Sequence, residues 1–482
     1  MSKFAKQPVQ TVNSEGYAAF RMDRRTDLVT KVLTCLFGEE KFYGNRSKEL
    51  ILLAEKEDMQ FVSRLAVYAR KEMHLRSVAH VLTAVVARHG REHIRATVRG
   101  VVERADDVTE ILAAYLGMYG KPVPNGLKKA LAEAIGRFDE YSLAKYKGEK
   151  NFLTMRDAVR IVHPKPDSEE RSDLYRRLIA GELATPQTWE TQISARGNTA
   201  EVWDELIEGG KLGYMAMLRN LRNIVKSGCS QLERVCKIIA DPEQVRKSKQ
   251  LPFRFYAAHR MLPGKAPLEV LYALADAMEA SVANVERIPG RSLIAVDVSG
   301  SMSWQSISAN SRMRPCDVAL VLAAMGHRIC DEAVVVSFDT SIRKHDIEPG
   351  AGIFRIVDSI PVDGGGTRLE LPLRWALDEA KKCGGAGKRE EPKAFDRMIL
   401  LSDNQINSGY EYICQALAGE YRRKVNPDFW VHAIDMMGYG TQQFAGEKTN
   451  IITGWNENVL SFIMQAERGA GSIVEAIEAY EI

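Results

Sequence analysis

Residues 292–302 read SLIAVDVSGSM. The stretch Ser292–Val298 is almost wholly apolar, is interrupted by one carboxylate, Asp297, and runs into small polar residues and a glycine. Such a run, without polar alternation, suits a strand buried on both faces of a parallel sheet. The theme recurs downstream. AVVVSF at 333–338, MILLS at 398–402 and FWVHAI at 429–434 are further strand runs, and helical patterns lie between them at 315–328, 369–382 and 410–421. Alternating strands and helices with right-handed crossovers predict an open, doubly wound α/β sheet from Arg291 to the end of the chain. Ligands of such sheets sit beyond the carboxyl ends of the strands.

Upstream of Arg291 the pattern changes to helix after helix. Val62, Leu65 and Ala66 form one stripe, Val81, Leu82, Val85 and Val86 a second, and Ile94, Val98, Val101 and Val102 a third, with breaks at Gly90 and at Asp106–Asp107. Helical spacing continues over 108–119, 127–138, 155–162, 201–207, 214–227, 231–239 and 268–285, and strand signals are almost absent. Many short helices without strands predict a helical solenoid whose paired helices stack on shared faces. No crisp period is visible, so a compact non-repeating helical domain stays open beside it. The division is therefore residues 1–290, helical, and 291–482, α/β, with the C-terminal segment able to return to the helical part.

The 482 residues carry a net charge of +3, with 45% hydrophobic and 27% charged residues. That composition excludes a disordered chain, a collagen-like repeat and a coiled-coil rod. No apolar run approaches the ~20 residues that span a bilayer. No secretory h-region follows the N-terminal MSKFAKQPVQ. The seven cysteines include no CxxC pair, which argues against a disulfide framework and a zinc finger. A cytoplasmic protein with no membrane partner is the expectation.

The small net charge averages two opposite parts. Residues 1–290 carry +9 and residues 291–482 carry −6. Within 60–104 nine Arg and Lys face only Glu72, Glu92 and Glu103, and Arg88, Arg91, Arg95 and Arg99 recur at spacings of three and four, which places them on one helix face. A second cluster at 219–260 holds ten basic residues against Glu233, Asp241 and Glu243. Either face alone reads as a solvated surface. Two in a net-basic half point to a polyanion, and arginine's planar fork suits phosphate. The histidines 74, 80, 89 and 93 lack an HExxH pattern, which argues against a metal there.

In the acidic part, Asp297, Ser299 and Ser301 follow the first strand as D-x-S-x-S, Thr367 follows three glycines, and Asp403 ends the strand MILLS. Two carboxylates and three hydroxyls on strand-end loops form a hard oxygen donor set that suits Mg²⁺ or Mn²⁺. Gly300 is expected to permit the bend between the two serines, and Met302 to lead into a helix.

These elements resemble the metal-ion-dependent adhesion site of von Willebrand factor A domains, in residue type and in order. The first 290 residues bear TVNSEG at 11–16, the segment 27–44, AKYK at 144–147, HPKP at 163–166, TWE at 188–190, LRNL at 218–221 and LPF at 251–253. In that order they resemble the TROVE domain of Ro autoantigen proteins, here of a bacterial or phage type. The resemblance covers roughly residues 10–480. It implies a ring of HEAT-like helical repeats closed by the A domain. It also implies binding of small noncoding Y RNA on the outer rim and of single-stranded ends of misfolded RNA in the central hole. A role in RNA quality control with an exoribonuclease of the polynucleotide phosphorylase type follows from it too. Carried over by motif, the RNA contacts are Lys145 and His163, with Lys147, Arg156 and Arg160 nearby; Arg88, Arg91, Arg95 and Arg99 rest on charge alone.

Catalysis finds no support. GxSxG, HExxH and paired Walker motifs are missing, and Gly387-Lys388 is followed by Arg389 instead of Ser or Thr. The expected function is therefore non-catalytic RNA binding. A metal-dependent protein-interaction or assembly module is the alternative, and a metal-dependent nuclease is the outsider.

Overall fold

The fold was analysed in a computed structural model, which describes residues 9–12, 16–21, 23–34, 40–146, 152–184, 186–304, 306, 313–383, 394–406, 413–437, 441–453, 459–468 and 473–482. The chain divides into two compact units. One comprises residues 24–192 with 471–482, and the other residues 1–23 with 193–470. Among the described residues no helix is long and apolar enough to cross a membrane.

The unit of residues 24–192 and 471–482 is helical. Its elements are α1 (Arg24–Thr34), α2 (Glu40–Glu55), α3 (Met59–Lys71), α4 (Ser77–His89), α5 (Ile94–Val101), α6 (Ala105–Tyr119), α7 (Asn125–Ile135), α8 (Glu140–Lys145), α9 (Met155–Val162) and α10 (Glu169–Ala180). The stripes read from sequence face inward. Val62, Leu65, Leu82, Val85, Val98 and Val101 are all buried where α3, α4, α5 and α6 pack together. The helices start on polar caps. Asp58 Oδ2 accepts the Phe61 N–H at 2.9 Å, and Thr154 and Asp157 close a capping box on α9.

One buried polar cluster ties these helices together. Asp107, wholly buried in the first turn of α6, accepts hydrogen bonds from Arg76 Nε (2.6 Å), a guanidinium nitrogen of Arg70 (3.3 Å) and the backbone N–H of Glu103 (3.0 Å) and Arg104 (2.8 Å). His80 Nε2 lies 3.0 Å from its Oδ1. Burial pushes the Asp107 carboxyl up, but His80, Arg76 and the Arg104 N–H outweigh it and hold it far below the carboxylate range. The C-terminal helix Ile473–Glu478 joins this unit. Glu478 pairs with Arg25, its carbonyl accepts from Arg64, and Tyr480 Oη donates to Glu72 (2.6 Å) while its ring meets Tyr68 edge-on.

The second unit joins the helices from residue 193 to Ser281 to an α/β sheet, and the change from helix to strand falls between Asn284 and Ile288. Its strands are β1 (Val9–Val12), β2 (Ala18–Arg21), β3 (Ile288–Asp297), β4 (Cys330–Phe338), β5 (Ile342–His345), β6 (Arg397–Ser402), β7 (Trp430–Asp435), β8 (Thr441–Gln442) and β9 (Thr449–Thr453). The main sheet has the order β5-β4-β3-β6-β7-β9. All its pairs are parallel except β4 with β5. The predicted doubly wound sheet is therefore present, with an antiparallel edge strand that the apolar runs did not mark. Leu293, Ala295, Val336, Leu400 and Val431 of the strands pack with Leu373, Leu417 and Tyr421 of the flanking helices. At the amino ends, Arg397 donates to both oxygens of Glu467 (2.5 and 2.8 Å), which also lies 2.8 Å from the buried His432 ring. This pair anchors the helix Val459–Glu467 beneath the sheet.

Before Arg291, where strand signals are almost absent, the fold nonetheless holds two short strands. β1 and β2 form an antiparallel hairpin whose second strand pairs with β8 of the α/β part. Gln443 Nε2 donates to the Ala18 carbonyl (3.2 Å), and Tyr17 packs against the sheet's core. Four-residue strands that complete their pairing only with residues more than 400 positions away leave little local signal.

Candidate functional site

The strand-end residues singled out in the sequence come together at the carboxyl edge of β3, β4 and β6. Asp297 is the last residue of β3, and its parallel neighbour β6 ends at Ser402, with Asp403 the next residue. Asp297 Oδ1 accepts the Ser299 N–H at 2.9 Å, which holds the loop in an Asx-type turn. Asp297 Oδ2 accepts the Ser402 hydroxyl at 2.5 Å. Ser299 and Ser301 lie with their hydroxyl oxygens 3.2 Å apart. Asp403 Oδ1 accepts the Gln405 N–H at 3.1 Å. The glycine loop before Thr367 is laced to the first loop by Gly300 N–H to the Gly365 carbonyl (2.9 Å) and Gly364 N–H to the Val298 carbonyl (3.1 Å). Asp297, Ser299, Thr367 and Asp403 are buried, whereas Ser301 is exposed.

Gly300 acts differently from the expectation. Its φ is not positive; a Cβ there would lie 3.1 Å from both the Gly364 carbonyl and the Trp304 ring, so the glycine supplies space. Gly365 is tighter still, since a Cβ would come within 2.7 Å of Asp339 Oδ2. Asp339, directly after β4, was not singled out in the sequence. Its Oδ1 accepts the Ser341 N–H (2.8 Å) and its carbonyl the Arg368 N–H (3.0 Å), which ties the loop of Thr367 to β4. Asp435 ends β7 in the same way, with its Oδ1 on the Met437 N–H at 2.9 Å. The signal for both was present: each strand run, AVVVSF and FWVHAI, is followed at once by Asp. Met302 does not open a helix; residues 301–303 form turns, and the helix begins at Pro315.

The electrostatics suit a cation. Burial first, and then the charge of Asp403, push the Asp297 carboxyl well above its ordinary value. Two buried carboxylates this close repel each other until a positive charge comes between them. No group of three His, Cys, Asp or Glu side chains that could hold a metal gathers among the described residues, and the further oxygens at this edge are serine and threonine hydroxyls. Such oxygen donors, with water, fit Mg²⁺ or Mn²⁺ in type and charge. Trp304, on the same loop, is 86% exposed.

The basic residues occupy separate helical surfaces. Arg88, Arg91, Arg95 and Arg99 are all exposed, but they do not share one helix face. Arg88 ends α4, Arg91 lies in the following turn, and Arg95 and Arg99 belong to α5. Gly90 divides them, because it caps α4 where a side chain would strike Met59 at 2.6 Å. Arg95 is paired with Glu133 (2.8 Å), and Arg88 sits 5.9 Å from the Tyr119 ring centroid. Arg70, Arg76 and His80 of the same sequence cluster are spent on Asp107.

Around α9 the arrangement is more open. Met155, Ala158, Val159 and Val162 turn inward, which leaves Arg156 and Arg160 exposed on the opposite face. His163 caps the helix in the left-handed conformation (φ 51°) and is exposed, as is Lys165. Lys145, exposed at the end of α8, lies 5.4 Å from the Tyr146 ring centroid. Lys147 falls outside the described residues. In the other unit, Arg219, Arg222 and Lys226 project from the helix Tyr214–Ser227, exposed and in no ion pair with a described residue.

Two family models match the chain: the TROVE domain over residues 22–185 and 179–267, and the Ro60 vWA domain over residues 291–461. Telomerase protein component 1 of Rattus norvegicus is 26% identical over 290 residues, which is 42% of this chain and 11% of that protein. The RNA-binding protein RO60 of Deinococcus radiodurans is 24% identical over 361 residues, 64% of each chain. This chain thus spans about a tenth of the telomerase component and just under two thirds of the Deinococcus protein. The crystal structure of the D. radiodurans RO (RSR) protein shares the fold, with a TM-score of 0.63 at 16% identity over 97% of this chain and 96% of that one. With a TROVE domain over half its length and a Ro60-type vWA domain after it, the chain belongs to the Ro family.

Proposed function

We propose that this chain is an RNA-binding protein that holds structured RNA by its phosphates on exposed basic helix faces, acting by binding rather than by catalysis. The observation that carries the reading is the outer face of α9, where Arg156 and Arg160 are exposed and in no ion pair with a described residue. Lys145, His163 and Lys165 add positive or protonatable groups in the same unit, and the helix Tyr214–Ser227 adds Arg219, Arg222 and Lys226 in the other. Arginines left unpaired keep their full charge and forked donors for phosphate. The finer reading is a small noncoding Y-type RNA together with single-stranded ends of misfolded RNA. It is an RNA quality-control role in the cytoplasm, with an exoribonuclease such as polynucleotide phosphorylase as partner. Family membership and the printed name of the Deinococcus relative, an RNA-binding protein, support the RNA binding, and the finer reading rests on the motif resemblance.

In the α/β part, Asp297, Ser299, Ser301, Thr367 and Asp403 are proposed to hold Mg²⁺, or Mn²⁺ in its place. The exposed Trp304 beside them favours a second reading, in which this face docks a protein and RNA is incidental.

Filter binding of a structured small RNA across a salt series tests the main reading. The expected log–log slope is steep, and Arg156→Ala with Arg160→Ala should weaken binding and lower the slope by about two. Asp297→Ala should leave RNA affinity within a few-fold while removing cation binding. Salt-independent binding, or none, overturns the RNA reading.

A further inference from the structure

Asn404 follows Asp403 directly where β6 leaves the sheet. Its backbone is left-handed, with φ 56°. The residue is wholly buried, and neither Oδ1 nor Nδ2 of its carboxamide has a hydrogen-bond partner among the described residues. The groups next to it are tied down. Asn404 N–H donates to Ser402 Oγ (3.1 Å), whose own hydroxyl donates to Asp297 Oδ2. Gln405 donates its N–H to Asp403 Oδ1 and its Nε2 to the Asp403 carbonyl (3.2 Å).

A buried amide with no partner is costly, and in native proteins such groups are rare and mark a water or an ion. Glycine would remove the cost altogether. It takes a left-handed φ freely and has no polar side chain to strand. A residue that keeps a stranded amide in a backbone conformation suited to glycine has a use for the amide. Through Ser402 Oγ, its main chain reaches the Asp297 carboxylate over two successive hydrogen bonds.

We propose that Asn404 is a positioning residue of the cation site, whose Oδ1 accepts a hydrogen bond from a water of the ion's coordination sphere. The proposal rests on Asp297, Ser299, Ser301, Thr367 and Asp403 being the cation donors. Magnesium and manganese bound by few carboxylates retain several waters, and those waters need acceptors. Outer-sphere partners of this kind orient the inner sphere, and losing one typically weakens metal affinity about 10- to 100-fold.

The test is Mn²⁺ titration of the full chain, read by the electron paramagnetic resonance of free Mn²⁺, together with a thermal melt without cation. Asn404→Gly should weaken Mn²⁺ binding about ten-fold or more, while the cation-free Tm stays level or rises. Asn404→Asp keeps an oxygen acceptor at that position and should retain Mn²⁺ affinity. Mn²⁺ affinity within two-fold of wild type in Asn404→Gly overturns the proposal, since it leaves the amide only its backbone preference. If Asn404→Gly loses both affinity and Tm, Asn404→Asp decides: retained affinity supports the role, and equal loss overturns it. A wild-type chain that binds no Mn²⁺ overturns the donor-set reading, and this inference with it, before any variant is compared.

Discussion

Replacing Asp107 with Asn keeps the side chain's shape and removes its charge from beneath Arg70, Arg76 and His80. Three side-chain and two backbone donors converge on this carboxylate, which has no exposed surface. Breaking a buried ion pair by removing one partner costs about 3–5 kcal/mol. The structure argues for the lower end, because Arg70 also lies 3.0 Å from Glu103 and Arg76 lies 2.6 Å from Asp106. About 3 kcal/mol, at 2–4 °C per kcal/mol for a unit of this size, corresponds to a Tm lowered by roughly 6–12 °C. The pH dependence has a definite sign. Asp107 is held far below its unfolded value, so its stabilisation is fully present above the unfolded carboxyl pKa of about 4 and is lost as pH falls through the folded value. The gap between wild type and Asp107→Asn should therefore be widest near neutrality and narrow below about pH 4. Circular dichroism melts of the full chain at several pH values measure it. A shift under about 2 °C at pH 7, or a gap that widens on acidification, would refute the reasoning.

The C-terminal helix offers a second test: Ile477 is fully buried, so Ile477→Ala should cost about 2–5 kcal/mol and raise amide exchange in α1 and α3, which this segment contacts. Unchanged exchange there would show that the segment contributes nothing to that unit. Gly365→Ala would drive a Cβ to 2.7 Å from Asp339 Oδ2 and displace the loop of Thr367; Mn²⁺ affinity should fall about ten-fold or more, and unaltered calorimetric binding would separate that loop from the cation. Asp297→Asn removes one of two buried like charges, so the cation-free protein should melt at a higher temperature while Mn²⁺ no longer raises its Tm; a variant still stabilised by Mn²⁺ would displace Asp297 from the donor set. His163→Ala with Lys145→Ala should weaken RNA binding more at low salt than at high salt, and equal loss at both would point to contacts other than phosphate.

Much of this architecture was readable along the chain. The helices Met155–Val162 and Tyr214–Ser227 match their apolar periods residue for residue, because each buries one stripe and the stripe recurs every three to four positions. The runs SLIAVDV, MILLS and FWVHAI are strands because parallel strands covered on both faces must be apolar throughout, and that needs no knowledge of neighbours. The same logic exposed Asp297 and Asp403, carboxylates that interrupt or end such runs. Asp339 and Asp435 carried the same mark and went unread for want of a motif around them.

Other features exist only in the folded chain. The hairpin β1–β2 becomes part of a sheet by pairing with β8, across more than 400 residues. Arg70 and Arg76 look like surface cations beside Arg88 until Asp107 is brought beneath them by the packing of α3, α4 and α6. Arg156 and Arg160 look equally basic in sequence and are left outward. A charge count cannot separate the two pairs, since availability depends on which carboxylate lies within a few ångströms. Asn404 is an ordinary polar residue in the sequence; burial without a hydrogen-bond partner among the described residues sets it apart. Periodicity and apolar runs are local and follow from secondary structure, whereas pairing, burial and the fate of each charge depend on residues far apart in the chain, and so the tertiary structure decides them.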